Sequence, residues 1–258
     1  PAIHFAGSHR LIDFALANLV RSSVLNALVA TQYKPDTLIS HIAAVWHRRF
    51  AVRGGRVVVR DASKLDGPYL GTADAVFRNI DVIDANDPSY VLVLGADHIY
   101  EMDYGPMIAA HRASGAAATV AADIVPRAEA SEFGVIAIGP DGRATDFLEK
   151  PSNPPGIPDL PNHALASMGI YVFSWPWLRE WLINDAENRT SSHDFGHDLL
   201  PFAMRAGELN VHRFSNAGAR AYWRDVGTLD AYRAAALSFA RGEQPCRLPE
   251  EDTILLGE

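Results

Sequence analysis

"YVLVLGADHIY", Tyr90–Tyr100, begins with an unbroken apolar run and ends on polar residues. A strand with one wet face alternates apolar and polar residues. A continuous run is the pattern of a central parallel strand covered on both faces. Gly95 and Ala96 then leave room for a ligand beside the backbone, and Asp97 stands just past the run. In open parallel sheets ligands bind beyond the carboxyl ends of the strands. A carboxylate there is costly to bury unless it is paired or metal-bound. Asp97 therefore reads as a ligand-directed carboxylate or as the cap of the helix that follows.

Outward from this strand the chain alternates. "RLIDFALANLVRSS" sets Ile12, Ala15, Leu16, Leu19 and Val20 on one helical face, and "NALVATQY" is a short apolar strand. "PDTLISHIAAVWHRRF" predicts a helix with Asp36 or Thr37 near its cap and Leu38, Ile42, Val45 and Trp46 inward. "RVVVR" is strand-like. "GTADAVFRNIDVIDAN" predicts one helix opened by Gly71 and Thr72, burying Ala73, Val76, Ile80 and Ile83. After the central strand come a helix, "YGPMIAAHRASG", and a strand, "AAATVAADIV". Such alternation implies an α/β fold: a Rossmann-like, mostly parallel sheet with helices on both faces.

Beyond about residue 130 the pattern becomes β-rich. "FGVIAIGPDGRATDFLEKP" is a hairpin signal, "SNPPGIPDLPNH" a stiff Pro-rich loop, and "SMGIYVF" a strand. "WPWLREWLIND" and "GHDLLPFAMRAG" predict helices, "LNVHRF" a strand and "TLDAYRAAALSFARG" a closing helix. The expected organisation is one domain over residues 1–241 with a β-rich insertion, and a loose tail over 242–258.

Bulk properties narrow the function. The chain has 258 residues, 48% hydrophobic and 21% charged, with a net charge of -8. No basic excess exists to neutralise a nucleic-acid backbone. The single cysteine, Cys246, excludes an intrachain disulfide and any multi-cysteine metal site. No apolar run approaches the roughly 18–20 residues of a membrane span, and the N-terminus has no signal-peptide core. A cytoplasmic protein with no nucleic-acid or membrane partner is expected.

Four stretches carry candidate chemistry. In "YWRDVGT", Tyr222–Thr228, Asp225 either pairs with Arg224 or caps a helix, or is held out to bind a ligand. In "FLEKP", Lys150 can be a point charge for a phosphate and Glu149 an acceptor for sugar hydroxyls, or the two form a surface ion pair. Gly71 and Thr72 open a helix whose backbone N–H groups can meet an anion. In "SSHDFGHDLLP", His193, Asp194, His197 and Asp198 suggest a metal site, or more simply capping and loop ordering. There is no G-x-S-x-G elbow, P-loop or G-x-G-x-x-G. The residues thus describe an acidic α/β protein with carboxylates and one lysine around a phosphate-bearing ligand.

Taken in order, "RLIDFALANLV", "TQYKPDTLISHI", "YLGTADAV", "LGADHIYEMDY", "EFGVIAI", "FLEKP", "SMGIYVF", "SSHDFGHDLLP" and "YWRDVGT" resemble the glucose-1-phosphate adenylyltransferase (ADP-glucose pyrophosphorylase) family of the bacterial glycogen pathway. The resemblance covers nearly the whole chain to about residue 240. It implies a nucleotidyltransferase that makes ADP-glucose and pyrophosphate from ATP and glucose 1-phosphate with Mg²⁺. It implies Asp97 and Asp225 as metal carboxylates, and Lys150 as the grip on the sugar phosphate. Tyr69, Gly134, Glu149 and Ser167 would line the glucose and phosphate pocket, with Gly71 and Thr72 near the nucleotide. His4 and Arg10 match a segment that binds allosteric effectors. Full-length relatives are homo-tetrameric.

The chain also departs from that family. The family's upstream G-G-x-G-x-R-L loop, its Gln-Gln-Arg adenine-reading segment and its C-terminal β-helix have no counterpart here. The resemblance therefore implies a chain truncated at both ends, with the sugar-phosphate and metal half intact in sequence. Two alternatives follow: an impaired sugar-phosphate-binding or regulatory homologue, and a sister enzyme using another base.

Overall fold

The structure, a computed structural model, describes residues 1–140, 143–214, 222–243 and 245–249. Residues 250–258 of the expected loose tail, and the tip of the predicted "PDG" hairpin at 141–142, lie outside the described residues. The chain forms two compact units. One comprises Pro1–Val59, Gly95–Gly105 and Gly218–Glu258, and the other Arg60–Leu94 and Pro106–Ala217.

In the first unit the helix Leu11–Arg21 is buried all round from Leu11 to Val20. Its polar positions are inside because each is satisfied. Asp13 Oδ1 accepts from Trp46 Nε1 at 2.7 Å and lies 2.6 Å from His41 Nε2, while Oδ2 accepts from the Arg10 amide. Asn18 donates to the Tyr100 carbonyl and accepts from the Met102 amide. Buried polar groups are tolerated when paired in this way.

The segment predicted as one helix from Pro35 runs as Asp36–His41, a wider π-helical turn Ile42–Trp46, and His47–Ala51. Leu38, Ile42, Trp46 and Phe50 are buried, whereas Val45 is half-buried. The closing helix Leu229–Ala240 contributes Ala235 to a cluster with Phe5, Leu11, Phe14, Ile99 and Val226. Phe5 meets Phe239 edge-on at 5.1 Å, a favoured aromatic geometry. Two short strands, His98–Tyr100 and Trp223–Asp225, pair antiparallel within this unit.

The second unit is built on a six-stranded sheet. Its order is Leu209–Arg213, Ala118–Pro126, His163–Ser174, Gly134–Ile138 and Ala144–Glu149, with Tyr90–Leu94 also pairing with His163–Ser174. Leu209–Arg213 runs parallel to Ala118–Pro126, and both Ala118–Pro126 and Tyr90–Leu94 run antiparallel to His163–Ser174. Tyr90–Leu94, Ala118–Pro126 and Leu209–Arg213 therefore share one direction, but of these only the last two pair directly, and every other ladder of this sheet is antiparallel, so the sheet is mixed rather than mostly parallel. The antiparallel member between them comes from the β-rich stretch, where "SMGIYVF" is the middle of a twelve-residue strand. That strand shifts register between Ser167 and Tyr171, at the left-handed Gly169, as a β-bulge does.

The core of this unit packs Ala118, Val120, Phe173, Leu178, Leu182, Leu199 and Leu200 together. Each large aliphatic or aromatic side chain so buried contributes about 1.5–3 kcal/mol. The predicted helix from Gly71 is two helices, Thr72–Phe77 and Ile80–Asp84. The break falls at the fully buried Asn79, whose side-chain amide donates to the Ala75 carbonyl at 2.7 Å and the Tyr69 hydroxyl at 3.0 Å. Local side-chain to backbone bonds of this kind compete with continuous helix. Ala73 is buried, and Val76, Ile80 and Ile83 pack on the core as the spacing predicts. No helix among the described residues is long and apolar enough to cross a membrane.

Candidate functional site

Asp97 lies three residues past the strand Tyr90–Leu94, and it does not cap the next helix. Asp103 does that, accepting from the Gly105 amide at 2.8 Å. Asp225 ends the strand Trp223–Asp225 opposite His98 in the antiparallel ladder. The following helix is capped by Thr228, which accepts from the Ala231 amide. Asp225 Oδ1 accepts from Gly227 N–H at 2.7 Å, which fixes the carboxylate locally. The ladder gathers both carboxylates on one imidazole: His98 Nε2 is 3.8 Å from Asp97 Oδ1 and 4.0 Å from Asp225 Oδ2. Their side chains are 44% and 37% exposed, so both reach solvent.

Among the described residues no group of three or more candidate ligands gathers, and two part-exposed carboxylates alone do not make a closed metal cage. They do suit Mg²⁺, which keeps several waters and is held by one or two carboxylates plus substrate phosphates. The donor set therefore fits the divalent metal the sequence implies.

The second unit gathers another group. Glu149 ends the hairpin strand opposite Gly134. A Cβ on Gly134 would lie 2.9 Å from Glu149 Oε2, and one on Gly196 only 2.4 Å from the same atom. Two glycines thus wall the carboxylate in. Burial raises the Glu149 pKa, helped by the charge of Asp194 and opposed by His197 and Lys150. Lys150 follows, exposed and with a left-handed φ of 44°. Pro151 disfavours the right-handed helical region there, and non-glycine residues at positive φ gather at functional sites.

Asp194 accepts from the Gly196 and His197 amides and from the Thr72 hydroxyl at 2.9 Å, and Thr72 Oγ1 accepts from the Phe195 amide. Burial pushes the Asp194 carboxyl up, but these hydrogen bonds together hold it below the usual carboxylate range. The capping and loop-ordering reading of "SSHDFGHDLLP" is the one observed. Ser167 Oγ lies 3.5 Å from the Tyr171 hydroxyl, whose pKa burial pushes up to about 12.

At the opening of the Thr72 helix the structure differs from expectation. The amides of Ala73 and Asp74 both donate to the His193 carbonyl, and so are not open to an anion. A Cβ on Gly71 would lie 2.3 Å from that same carbonyl. The close approach of the 192–193 backbone explains both facts. Tyr69 is held by Asn79 Nδ2 on its hydroxyl and by the Arg78 guanidinium over its ring.

His4 and Arg10 sit across from each other in a two-stranded hairpin of the first unit. Arg10 turns inward, with Nη1 donating to the Ala2 carbonyl. The His4 carbonyl accepts from the Tyr232 hydroxyl.

Residues 1–242 match the nucleotidyl transferase family. The chain belongs to the nucleotidyl transferase family. Within that family it is 48% identical over 240 residues to a glucose-1-phosphate adenylyltransferase of Jannaschia sp. and 48% identical over 241 residues to one of Cereibacter sphaeroides. Each match covers 90% of this chain and 57% of the relative. A third, glucose-1-phosphate adenylyltransferase 1 of Alkalilimnicola ehrlichii, is 47% identical over 95% of this chain and 59% of its own length. The chain thus spans somewhat more than half the length of these curated relatives.

For this nucleotidyl transferase chain, sequence reading missed three groups. His98 was hidden because only the strand pairing places it against two carboxylates. Gly196 and Tyr171 were hidden because their contact with Glu149 and Ser167 depends on the sheet. The one usable signal was proximity in sequence, "FGHD" beside Asp194 and "SMGIY" around Ser167.

Proposed function

We propose that this chain carries the nucleotidyl-transfer activity of a cytoplasmic glucose-1-phosphate adenylyltransferase, forming ADP-glucose and pyrophosphate from ATP and glucose 1-phosphate. The observation that carries the reading is the pairing of His98–Tyr100 with Trp223–Asp225, which brings Asp97 and Asp225 to one side chain. The shared name of the relatives supports the substrates. In the transfer, a phosphate oxygen of the sugar attacks the α-phosphorus of ATP and the bond to pyrophosphate breaks. Such chemistry needs positioning and charge neutralisation more than covalent participation.

Asp97 and Asp225 would hold Mg²⁺, which supplies charge neutralisation at the phosphate oxygens. Lys150 is the point charge for the sugar phosphate. Glu149 is the acceptor for sugar hydroxyls, and Ser167, Gly134 and Tyr69 would line the same pocket. Thr72 acts through Asp194 rather than through a free helix terminus, and Gly71 admits the 193 carbonyl. His4 and Arg10 mark an effector-binding segment.

The test is pyrophosphate release and ADP-glucose formation by this chain with Mg²⁺, glucose 1-phosphate and, separately, ATP, UTP, GTP or dTTP. Activity confined to ATP is expected. Preference for another base would make it a sister enzyme, and binding of glucose 1-phosphate without turnover would make it a binding protein.

A further inference from the structure

His98 occupies a defined place between the two candidate metal carboxylates. The indole N–H of Trp223 is a donor only, and it points at His98 Nδ1 at 3.4 Å. Nδ1 is therefore the acceptor, and the imidazole proton resides on Nε2. That nitrogen faces Asp97 Oδ1 at 3.8 Å and Asp225 Oδ2 at 4.0 Å. The ring stands edge-on to Trp223, centroids 5.6 Å apart and planes at 86°. The ladder fixes its backbone, with His98 opposite Asp225 and Tyr100 opposite Trp223. Space for the ring is also built in, since a Cβ on Gly95 would lie 3.0 Å from His98 Cε1.

We infer that His98 is a positioning residue for the metal carboxylates. Through Trp223 its tautomer is fixed so that the Nε2–H dipole faces both carboxylates, at distances longer than a direct hydrogen bond, and offsets their mutual repulsion around a divalent cation. The inference rests on the proposed reading of Asp97 and Asp225 as the metal pair. The physical reason is general. Two like-charged carboxylates close together repel, and a neutral N–H donor placed between them lowers that cost without competing for the metal. Donors beside metal ligands orient the ligand lone pairs, and losing one typically weakens metal affinity about 10–100-fold.

The test uses Mn²⁺ as probe, its free concentration read by electron paramagnetic resonance, on the whole chain. Asp225→Asn is expected to lose Mn²⁺ binding. His98→Leu, which removes both ring nitrogens, is expected to weaken it about 10-fold or more. His98→Gln, which restores an N–H near the Nε2 position, is expected to recover most of the affinity.

Equal Mn²⁺ affinity in wild type and His98→Leu, with Asp225→Asn impaired, overturns the inference. So does a failure of His98→Gln to recover anything. Should His98→Leu not fold, nitrogen-detected NMR of wild type decides the matter. An Nε2-protonated ring whose signals, with those of the Trp223 indole, move on Mg²⁺ addition supports the role. An Nδ1-protonated or unresponsive ring sinks it. A chain whose Mn²⁺ affinity depends on His98 but which forms no nucleotide sugar would overturn the proposed function and leave this inference standing.

Discussion

Glu149 carries a charge where burial does not favour one. Its folded pKa lies above the ordinary glutamate value of 4.5. The native state therefore holds that proton more tightly than the unfolded chain. The associated stability is present at low pH and lost as pH rises through the folded value, so at neutrality the charged carboxylate is a cost. Glu149→Gln is expected to raise the melting temperature of the ligand-free chain modestly while weakening glucose 1-phosphate about 10–100-fold, the scale of a lost charge-assisted hydrogen bond. Calorimetric binding beside thermal unfolding checks both halves. A lower melting temperature would contradict the account.

Asp194 has the opposite sign. Its carboxylate is stabilised by donated hydrogen bonds, so its contribution is present above the ordinary aspartate value of 3.8 and lost as pH falls through the folded value. Lys150→Ala is expected to raise KM for glucose 1-phosphate at least tenfold, with little change in KM for ATP. Equal KM values would remove Lys150 from the site. At this scale the sequence was informative about residue type and position. "FLEKP" and "YWRDVGT" sit at strand ends in the structure. It could not distinguish a binding carboxylate from a cap. That required seeing that Thr228 and Asp103 do the capping.

Elements join these residues through a few tight contacts. Thr72 gives its hydroxyl proton to Asp194 and receives the Phe195 amide. Thr72→Val keeps the shape and strands both partners, a loss expected to cost about 1–3 kcal/mol, to be read by chemical denaturation. Gly134→Ala should behave differently, because the new Cβ would meet the Phe147 ring at 2.6 Å. Overpacking of that kind costs typically about 1–3 kcal/mol, and it would displace the Glu149 carboxylate as well. Unchanged stability in Gly134→Ala would show that the hairpin yields.

Most elements were legible from periodicity and turn residues. Three departed: the helix from Pro35 is interrupted by a π-helical turn at Ile42–Trp46, and the other two follow particular side-chain hydrogen bonds. The helix predicted over "GTADAVFRNIDVIDAN" breaks where Asn79 bonds Ala75 and Tyr69. The helix Leu11–Arg21 buries positions expected to face water because Asp13 and Asn18 find partners far along the chain.

For the molecule as a whole, two histidines of the second unit contribute to the acid response. Burial lowers the pKa of His111, whose ring nitrogens face the Thr119 and Ser174 hydroxyls, and of His212 in Leu209–Arg213. Both fold in the neutral form. Below the unfolded value of 6.5 the unfolded chain takes up protons that the native chain refuses, so stability falls as pH drops through that point. The melting temperature is expected to decline from pH 7 toward pH 5, and less steeply in His111→Gln, whatever that variant loses at pH 7. An identical slope would acquit His111.

The alternation of strand and helix and the order of the motifs were determined by the sequence. Periodicity and turn chemistry are local, and one chain contains them in full. What only the tertiary structure decided was which distant groups meet. His98 lies between Asp97 and Asp225 because two three-residue strands pair. Glu149 is walled by Gly134 and Gly196 because a hairpin and a loop converge on one carboxylate. The helix start at Thr72 is closed by His193 rather than open to a ligand. Each of these depends on contacts between residues far apart in the chain, and no local pattern encodes them.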